Sequence, residues 1–147
     1  MQEKVENDME KIVSGFISTH GGFDDTDIFI DGEKVTDILH NLVRENEGIG
    51  ENVYTDNNLG ETKTTIYNCQ MFAYFTKSKC SLEEAQESLD TYLYSGEGVC
   101  ECEGEYRGYS EWTITGFDIT NFKIGGHDLI SEFDSHCGEY VNFVINY

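Results

Sequence analysis

The sequence predicts an α+β fold: one compact domain over residues 1–147, with a mostly antiparallel sheet and about three to four short helices. Three observations predict it. An internal repeat combines strand and helix patterns, residues 62–76 alternate apolar and polar side chains, and a helix-capping motif begins at Ser81. The chain has no proline and no Ser/Gly-rich linker, so we expect no domain boundary.

The internal repeat lays residues 22–32 on residues 116–126, and six of the eleven aligned pairs are identical. Each copy continues through a glycine-containing turn, which tolerates positive φ, into apolar residues at helical spacing. These apolar residues are Val35, Ile38, Leu39 and Leu42 in the first copy and Leu129, Ile130 and Phe133 in the second. We therefore expect two strand-turn-helix-strand units, at about 16–56 and 110–147, around an unduplicated unit at about 62–109.

In the unduplicated unit the capping box from Ser81 to Glu84 predicts a helix start. The residues that follow keep helical spacing, which predicts a helix continuing to Leu93. Its apolar stripe consists of Leu82, Ala85, Leu89, Tyr92 and Leu93, and its acidic side consists of Glu83, Glu87 and Asp90.

The two ends of the chain carry one further element each. An amphipathic helix is predicted near the N-terminus from the spacing of Val5, Met9, Ile12, Val13 and Phe16. A half-buried strand is predicted at residues 140–147, with one apolar face made of Val141, Phe143, Ile145 and Tyr147.

The net charge is the most unusual property of the composition. The chain has 29 acidic and nine basic residues, a formal net charge of -20, yet 38% of its residues are hydrophobic and 13% are aromatic. This apolar content predicts a folded protein instead of a disordered acidic chain. The charge excludes ordinary binding to nucleic acids or anionic membranes, and it favours basic proteins or metal cations as partners.

The cysteines and the first residues of the chain indicate the cellular compartment of the protein. Five cysteines at irregular spacing favour reduced thiols over a disulfide framework. The mixed charge of the first residues and the lack of a long apolar run predict neither a signal peptide nor a membrane span, and we expect a cytoplasmic protein.

The most one-sided part of the chain runs from Ser81 to Tyr106, with eight carboxylates and no lysine or arginine. If residues 97–106 form a strand, one face carries acidic residues and the other carries cysteines and Tyr106. The acidic row consists of Glu97, Glu101, Glu103 and Glu105, and the inward cysteines are Cys100 and Cys102. Residues two apart on a strand lie roughly 6.6 Å apart, which is comparable to the spacing of phosphates along a nucleic-acid strand.

A second acidic group lies in and after the strand of the first repeat. Asp24 and its repeat partner Asp118 precede Thr26 and Thr120 by two residues, which predicts a turn-forming structural role. The carboxylates that the second copy lacks are the better candidates for partner binding, namely Asp25, Asp27 and Asp31.

No pattern predicts catalysis or a resident cofactor. The acidic loops lack the glycine and glutamate that a calcium-binding EF-hand requires. Zinc binding stays open through Cys100, Cys102, His136 and Cys137, although their spacing is unusual for a structural zinc site. Cys137 beside His136 is a poor nucleophile because adjacent residues point apart and negative surroundings disfavour a thiolate. We therefore expect no enzyme and no metal.

In composition, length and the acidic row from Glu83 to Glu105, the chain resembles the small acidic proteins of phages and mobile elements that block CRISPR effectors or restriction enzymes. The resemblance implies a stoichiometric inhibitor that occupies the basic groove of a nucleic-acid-binding protein, with a CRISPR effector nuclease as the first partner to test. Tyr106 and Tyr109 would then supply aromatic anchors. The alternative is a non-enzymatic interaction module that oligomerises and uses its acidity for solubility.

Overall fold

The computed structural model describes residues 9–21, 26–55, 61–106 and 114–147. These residues form an antiparallel sheet with three helices, which confirms the predicted α+β fold. The elements are β1 (Glu10–Gly21), β2 (Thr26–Ile30), β3 (Glu33–Lys34), α1 (Val35–Glu45), β4 (Gly50–Thr55), β5 (Glu61–Thr76), α2 (Leu82–Glu87), β6 (Tyr92–Tyr106), β7 (Ile114–Ile124), β8 (His127–Asp128), α3 (Leu129–Ser135) and β9 (Tyr140–Asn146).

The first and last strands, β1 and β9, are neighbours near the centre of the sheet. Its strand order is β3-β2-β1-β9-β5-β6-β7-β8, and β4 pairs with the first part of β5. Near the two ends of this order, Cα atoms of β2 and β7 come within 8 Å of each other. The sheet therefore curls and has a concave inner face and a convex outer face.

The main core fills the concave face. Helices α1 and α3 lie there and bury apolar residues against the inward side chains of the strands. Four phenylalanines form its centre, with ring centroids 5.1 to 6.1 Å apart in edge-on and stacked contacts. They are Phe75, Phe122, Phe133 and Phe143.

Helix α2 lies on the outer face and covers only a small area. Ala85 of this helix is buried against Tyr74 of β5 and Val144 of β9. The capping box is present as predicted, because the Ser81 hydroxyl accepts from the Glu84 amide and the Glu84 carboxylate accepts from the Ser81 amide. Much of the outer face is left to solvent.

The repeated strand, glycine turn, helix and strand pattern is present in both copies. The first turn places Asp31 and Gly32 at φ values of 49° and 78°, and the second places Gly125 and Gly126 at 57° and 82°. These are left-handed conformations that glycine and aspartate tolerate, which is why each strand can reverse at this point.

The predicted N-terminal helix is wrong for the residues that the structure describes. Residues 10–21 form the strand β1, in which Val13 and Ile17 are buried while Ile12 and Phe16 are exposed. The burial follows a period of two because β1 pairs with β9 along residues 10–16. Val5 lies outside the described residues.

Two predictions about the lengths and environments of elements are also wrong. Helix α2 ends at Glu87 instead of continuing to Leu93, since Tyr92 and Leu93 pair with β5 as the first residues of β6. Strand β9 is not half-buried. Residues 140–145 are buried on both faces because β9 lies between β1 and β5 with α2 above its outer side.

Candidate functional site

Strand β6 carries the predicted acidic row on the outer face of the sheet. Glu97 and Glu103 are exposed and Glu101 is half-buried, whereas Cys100 and Cys102 are fully buried on the inner side. The predicted strand and the predicted alternation of these five residues are therefore confirmed. The side chains of Glu105 and Tyr106, like the whole of Tyr109, lie outside the part of the chain that can be described.

The carboxylates of α2 lie on the same side of the sheet as this row. Leu93 pairs with Tyr74, so both side chains are on the outer face, and Tyr74 is the residue on which α2 packs. Glu83 and Glu87 are exposed on α2, and Asp90 is exposed in the turn after it. We call this surface the acidic face; it consists of Glu83, Glu87, Asp90, Glu97, Glu101 and Glu103.

Two lysines lie next to the acidic face. The Lys63 ammonium lies 3.7 Å from the Glu103 carboxylate, and both side chains are about half exposed. Lys123 of β7 pairs with Val99, which separates Glu97 from Glu101. An exposed ion pair contributes about 0 to 1 kcal/mol, so Glu103 can exchange Lys63 for another cation at little cost.

The early end of α2 creates a feature that the sequence analysis missed. Leu89 is fully exposed in the turn after α2, and Leu93 is 48% exposed at the start of β6. In the predicted longer helix both leucines belong to the buried apolar stripe. The run Thr91 to Tyr94, which contains β-branched and aromatic residues, was the available signal for a strand start.

The second acidic group is used largely within the fold. Asp27 forms a 3.3 Å ion pair with Lys34. The Asp31 carboxylate accepts a 2.8 Å hydrogen bond from the amide of Phe16, and the Asp31 amide donates to the Phe16 carbonyl at 2.9 Å. Asp25 lies outside the described residues. Asp27 and Asp31 therefore hold neighbouring segments together and are less available to a partner than the acidic face.

A polar network around Glu132 joins α3 to the sheet, and no sequence pattern indicated it. Tyr94 donates to one Glu132 oxygen at 2.6 Å, and His127 lies 2.9 Å from the other. The Tyr94 ring stacks on His127, with centroids 4.6 Å apart, and His136 lies 3.0 Å from Glu139. Tyr94 lies 38 residues from Glu132 in sequence, so only the fold brings it to α3, whereas the two histidines are within five residues of their carboxylate partners.

The network changes the proton affinity of two of its members. The hydrogen bonds from Tyr94 and then from His127 lower the pKa of Glu132 below its ordinary value. The bond to Glu132, and to a smaller degree burial, raises the pKa of Tyr94 to about 12. Both pKa shifts mean that the network favours an ionised Glu132 carboxylate beside a neutral Tyr94 phenol. The network is therefore a structural connection of α3 to β6 and β8.

The thiols do not form the zinc site that the sequence left open. Cys100 and Cys102 are buried with their sulfurs 3.7 Å apart, whereas Cys137 is exposed and His136 stacks on Phe75. Within the described ranges, no three His, Cys, Asp or Glu side chains are grouped to hold a metal ion. Burial raises the pKa of Cys100, so its thiol is held in the unreactive protonated form.

Comparisons with protein-family models, curated proteins and solved structures find no match for this chain. Among the helices of the described residues, none is long and apolar enough to cross a membrane. The acidic face is therefore the surface feature that bears most directly on function.

Proposed function

We propose that the chain is a non-enzymatic acidic binding protein that occupies the basic groove of a nucleic-acid-binding protein, with a CRISPR effector nuclease as the first partner to test. The observation that supports the proposal is the acidic face. It gathers carboxylates of α2 and β6 on one side of the sheet in a chain with a net charge of -20.

Binding would start from long-range attraction and end in short-range contacts. The net charge attracts a groove lined with lysine and arginine and raises the association rate at low salt. On contact, Glu101 and Glu103 would be spaced like successive backbone phosphates, about 6.6 Å apart, and Glu97 would lie about 13 Å from Glu101, two outward positions away. The exposed side chains of Leu89 and Leu93 add apolar area beside the charges, which can be desolvated in a complex.

Competition with nucleic acid is the direct test. The dissociation constant for a Cas nuclease is measured with the effector free of target DNA and again with the DNA bound. We expect tight binding to the free effector, weaker binding as salt rises, and loss of binding to the DNA-loaded form. Equal affinity for the free and the DNA-loaded effector would refute occupation of the groove.

A charge-matched pair of variants tests the acidic face itself. Replacing Glu97, Glu101 and Glu103 by glutamine would remove the three proposed ion pairs with the partner, worth about 0.5 to 1 kcal/mol each, which predicts roughly tenfold to hundredfold weaker binding. The control variant replaces three exposed glutamates away from this face, so that both variants lose the same charge; these residues are Glu33, Glu45 and Glu47. Equal losses in both variants would show that only the net charge matters and that the acidic face is not the interface.

A further inference from the structure

Strand β1 has an edge whose hydrogen-bonding groups point away from the sheet. Met9 and Tyr147 exchange both backbone hydrogen bonds, each 2.9 Å long, at the start of the β1–β9 ladder. In an antiparallel ladder such pairs recur at every second residue, so the odd-numbered residues of β1 bond to β9. The amides and carbonyls of Glu10, Ile12 and Ser14 therefore point to the opposite side.

This open edge has a defined end. Asp31 occupies the position of a strand residue opposite Phe16, because its amide donates to Phe16 and its carboxylate accepts from it. Beyond that point β2 pairs with β1 from Ile17 to Gly21. Among the described residues, no strand pairs with β1 on this side between residues 10 and 15.

The side chains along the open edge are unusually apolar for the surface of this protein. Met9, Ile12 and Phe16 are 55%, 45% and 47% exposed. The two charged side chains of the edge, Glu10 and Lys11, have opposite signs. An unpaired edge that is apolar and locally neutral is the kind of surface that recruits another strand.

We propose that two copies of the chain associate by antiparallel pairing of their β1 edges, with Ile12 of one copy opposite Ile12 of the other. Glu10 then lies opposite Ser14 of the second copy, and Ser14 lies opposite its Glu10. Each of these three residue pairs exchanges two backbone hydrogen bonds, so every free group of the edge is used. The two Ile12 side chains meet on the outer face, and no like charges lie opposite each other.

The two neighbouring registers that keep the two-fold symmetry are energetically less favourable than the one centred on Ile12. Shifting one way places Lys11 opposite Lys11, which sets two like charges against each other. Shifting the other way requires Phe16 as a partner of Glu10, and the backbone of Phe16 is already bonded to Asp31. The register centred on Ile12 avoids both costs, so the edge of a second copy is a suitable partner strand.

The large net charge gives this association an unusual dependence on salt. Two chains of charge -20 repel at long range, whereas the paired edge itself is almost neutral. Screening shortens the range of repulsion to about 3 Å at 1 M salt, so the dimer should become stronger as salt rises. This trend is opposite to the one expected for binding to a basic groove, so the two proposals can fail independently.

The test measures the mass of the full-length chain in solution by sedimentation velocity. At high salt and high protein concentration we expect twice the chain mass of 16.7 kDa. Ile12→Lys places two like charges opposite each other and should weaken the dimer at least about tenfold. Val53→Lys is the matched control, since Val53 lies on β4 with the same exposure of 45% and the variant gains the same charge. A monomer at all salt concentrations, or equal effects of the two variants, would overturn the proposal.

A cross-linking experiment keeps the proposal testable if Ile12→Lys does not fold. Directly opposite residues of a hydrogen-bonded antiparallel pair have Cα atoms about 5.5 Å apart, a distance that a disulfide spans. In a Cys137→Ser background, which removes the exposed native thiol, Ile12→Cys should form a covalent dimer on mild oxidation. Val53→Cys should not. Cross-linking of both variants to the same extent, or of neither, would contradict pairing centred on Ile12.

Discussion

Replacing Tyr94 by phenylalanine tests the polar network that joins α3 to the sheet. The change removes one hydroxyl, which donates a 2.6 Å hydrogen bond to Glu132, and leaves the ring stacked on His127. A hydrogen bond to a charged group contributes about 1.5 to 3 kcal/mol. The Glu132 side chain is 21% exposed, so water can partly replace the lost donor.

We therefore expect a loss of about 1 to 1.5 kcal/mol in the free energy of unfolding near neutral pH. For a chain of this size such a loss lowers the melting temperature by about 2 to 6 °C.

The cost of Tyr94→Phe should depend on pH in a direction set by the two pKa shifts. The folded-state pKa of Glu132 lies below its ordinary value of 4.5, so its contribution is complete above about 4.5 and is lost as pH falls through the folded pKa. The pKa of Tyr94 is raised from 10.0 to about 12, so its contribution is present below about 10 and is lost as pH rises toward 12. The cost should be largest between these limits and smaller on both sides.

Urea denaturation of both proteins at several pH values measures this profile. Tyr92→Phe is the matched control, because Tyr92 is 58% exposed and lies on the same strand two residues earlier. We expect that control to change the free energy of unfolding by less than about 0.5 kcal/mol. Equal costs for the two variants, or a Tyr94→Phe cost that does not vary with pH, would refute the assigned role of Glu132.

Three further predictions concern packing, a turn and thiol reactivity. Gly98→Ala should destabilise the fold by about 1 to 3 kcal/mol, because a Cβ there would lie 2.4 to 2.9 Å from Met71 atoms. In denaturation experiments, the double variant Gly98→Ala/Met71→Ala should lose less stability than the sum of the two single variants. Asp31→Ala should cost about 2 kcal/mol, whereas Asp31→Asn keeps a side-chain acceptor and tolerates the positive φ, and equal costs would contradict this role. Cys137 should react with a thiol reagent long before buried Cys100, and mass mapping that found equal rates would show that the core opens readily.

The features that the sequence predicted correctly are those encoded by neighbouring residues. Each repeat contains its own strand pattern, a turn with left-handed residues and a helix pattern within about 30 residues, so nothing distant is needed to identify it. The same holds for the capping box at Ser81, whose two hydrogen bonds join residues three apart. The alternation of Glu101 and Cys102 also follows from the period of a strand alone.

The wrong predictions depend on partners that are distant in the chain. The apolar residues Met9, Ile12 and Phe16 fit a helical period, but β1 is a strand because β9, more than 120 residues away, completes its ladder. Likewise Tyr92 and Leu93 fit the end of a helix until β5 pairs with them. Local spacing could not decide either case, since the same residues satisfy both periods and tertiary pairing selects one.

The candidate site shows the same division. The acidic row on β6 could be predicted because a strand puts every second residue on one side. The residues that surround the row in the fold could not be predicted. Lys63 comes next to Glu103 through pairing of β5 with β6, and Leu89 becomes exposed because α2 ends early. Partner binding through this face would therefore combine charges that the sequence predicts with apolar side chains that only the fold exposes.

The two proposed interfaces lie on different parts of the same chain and respond to salt in opposite directions. The acidic face should bind its partner more weakly as salt rises, because the attraction between opposite charges is screened. The β1 edge should pair more strongly, because screening removes repulsion between two chains that each carry a charge of -20. Measuring both partner affinity and molecular mass during one salt titration separates partner binding from dimer formation. If binding to a basic partner increased with salt, the dimer and not the isolated chain would be the active species.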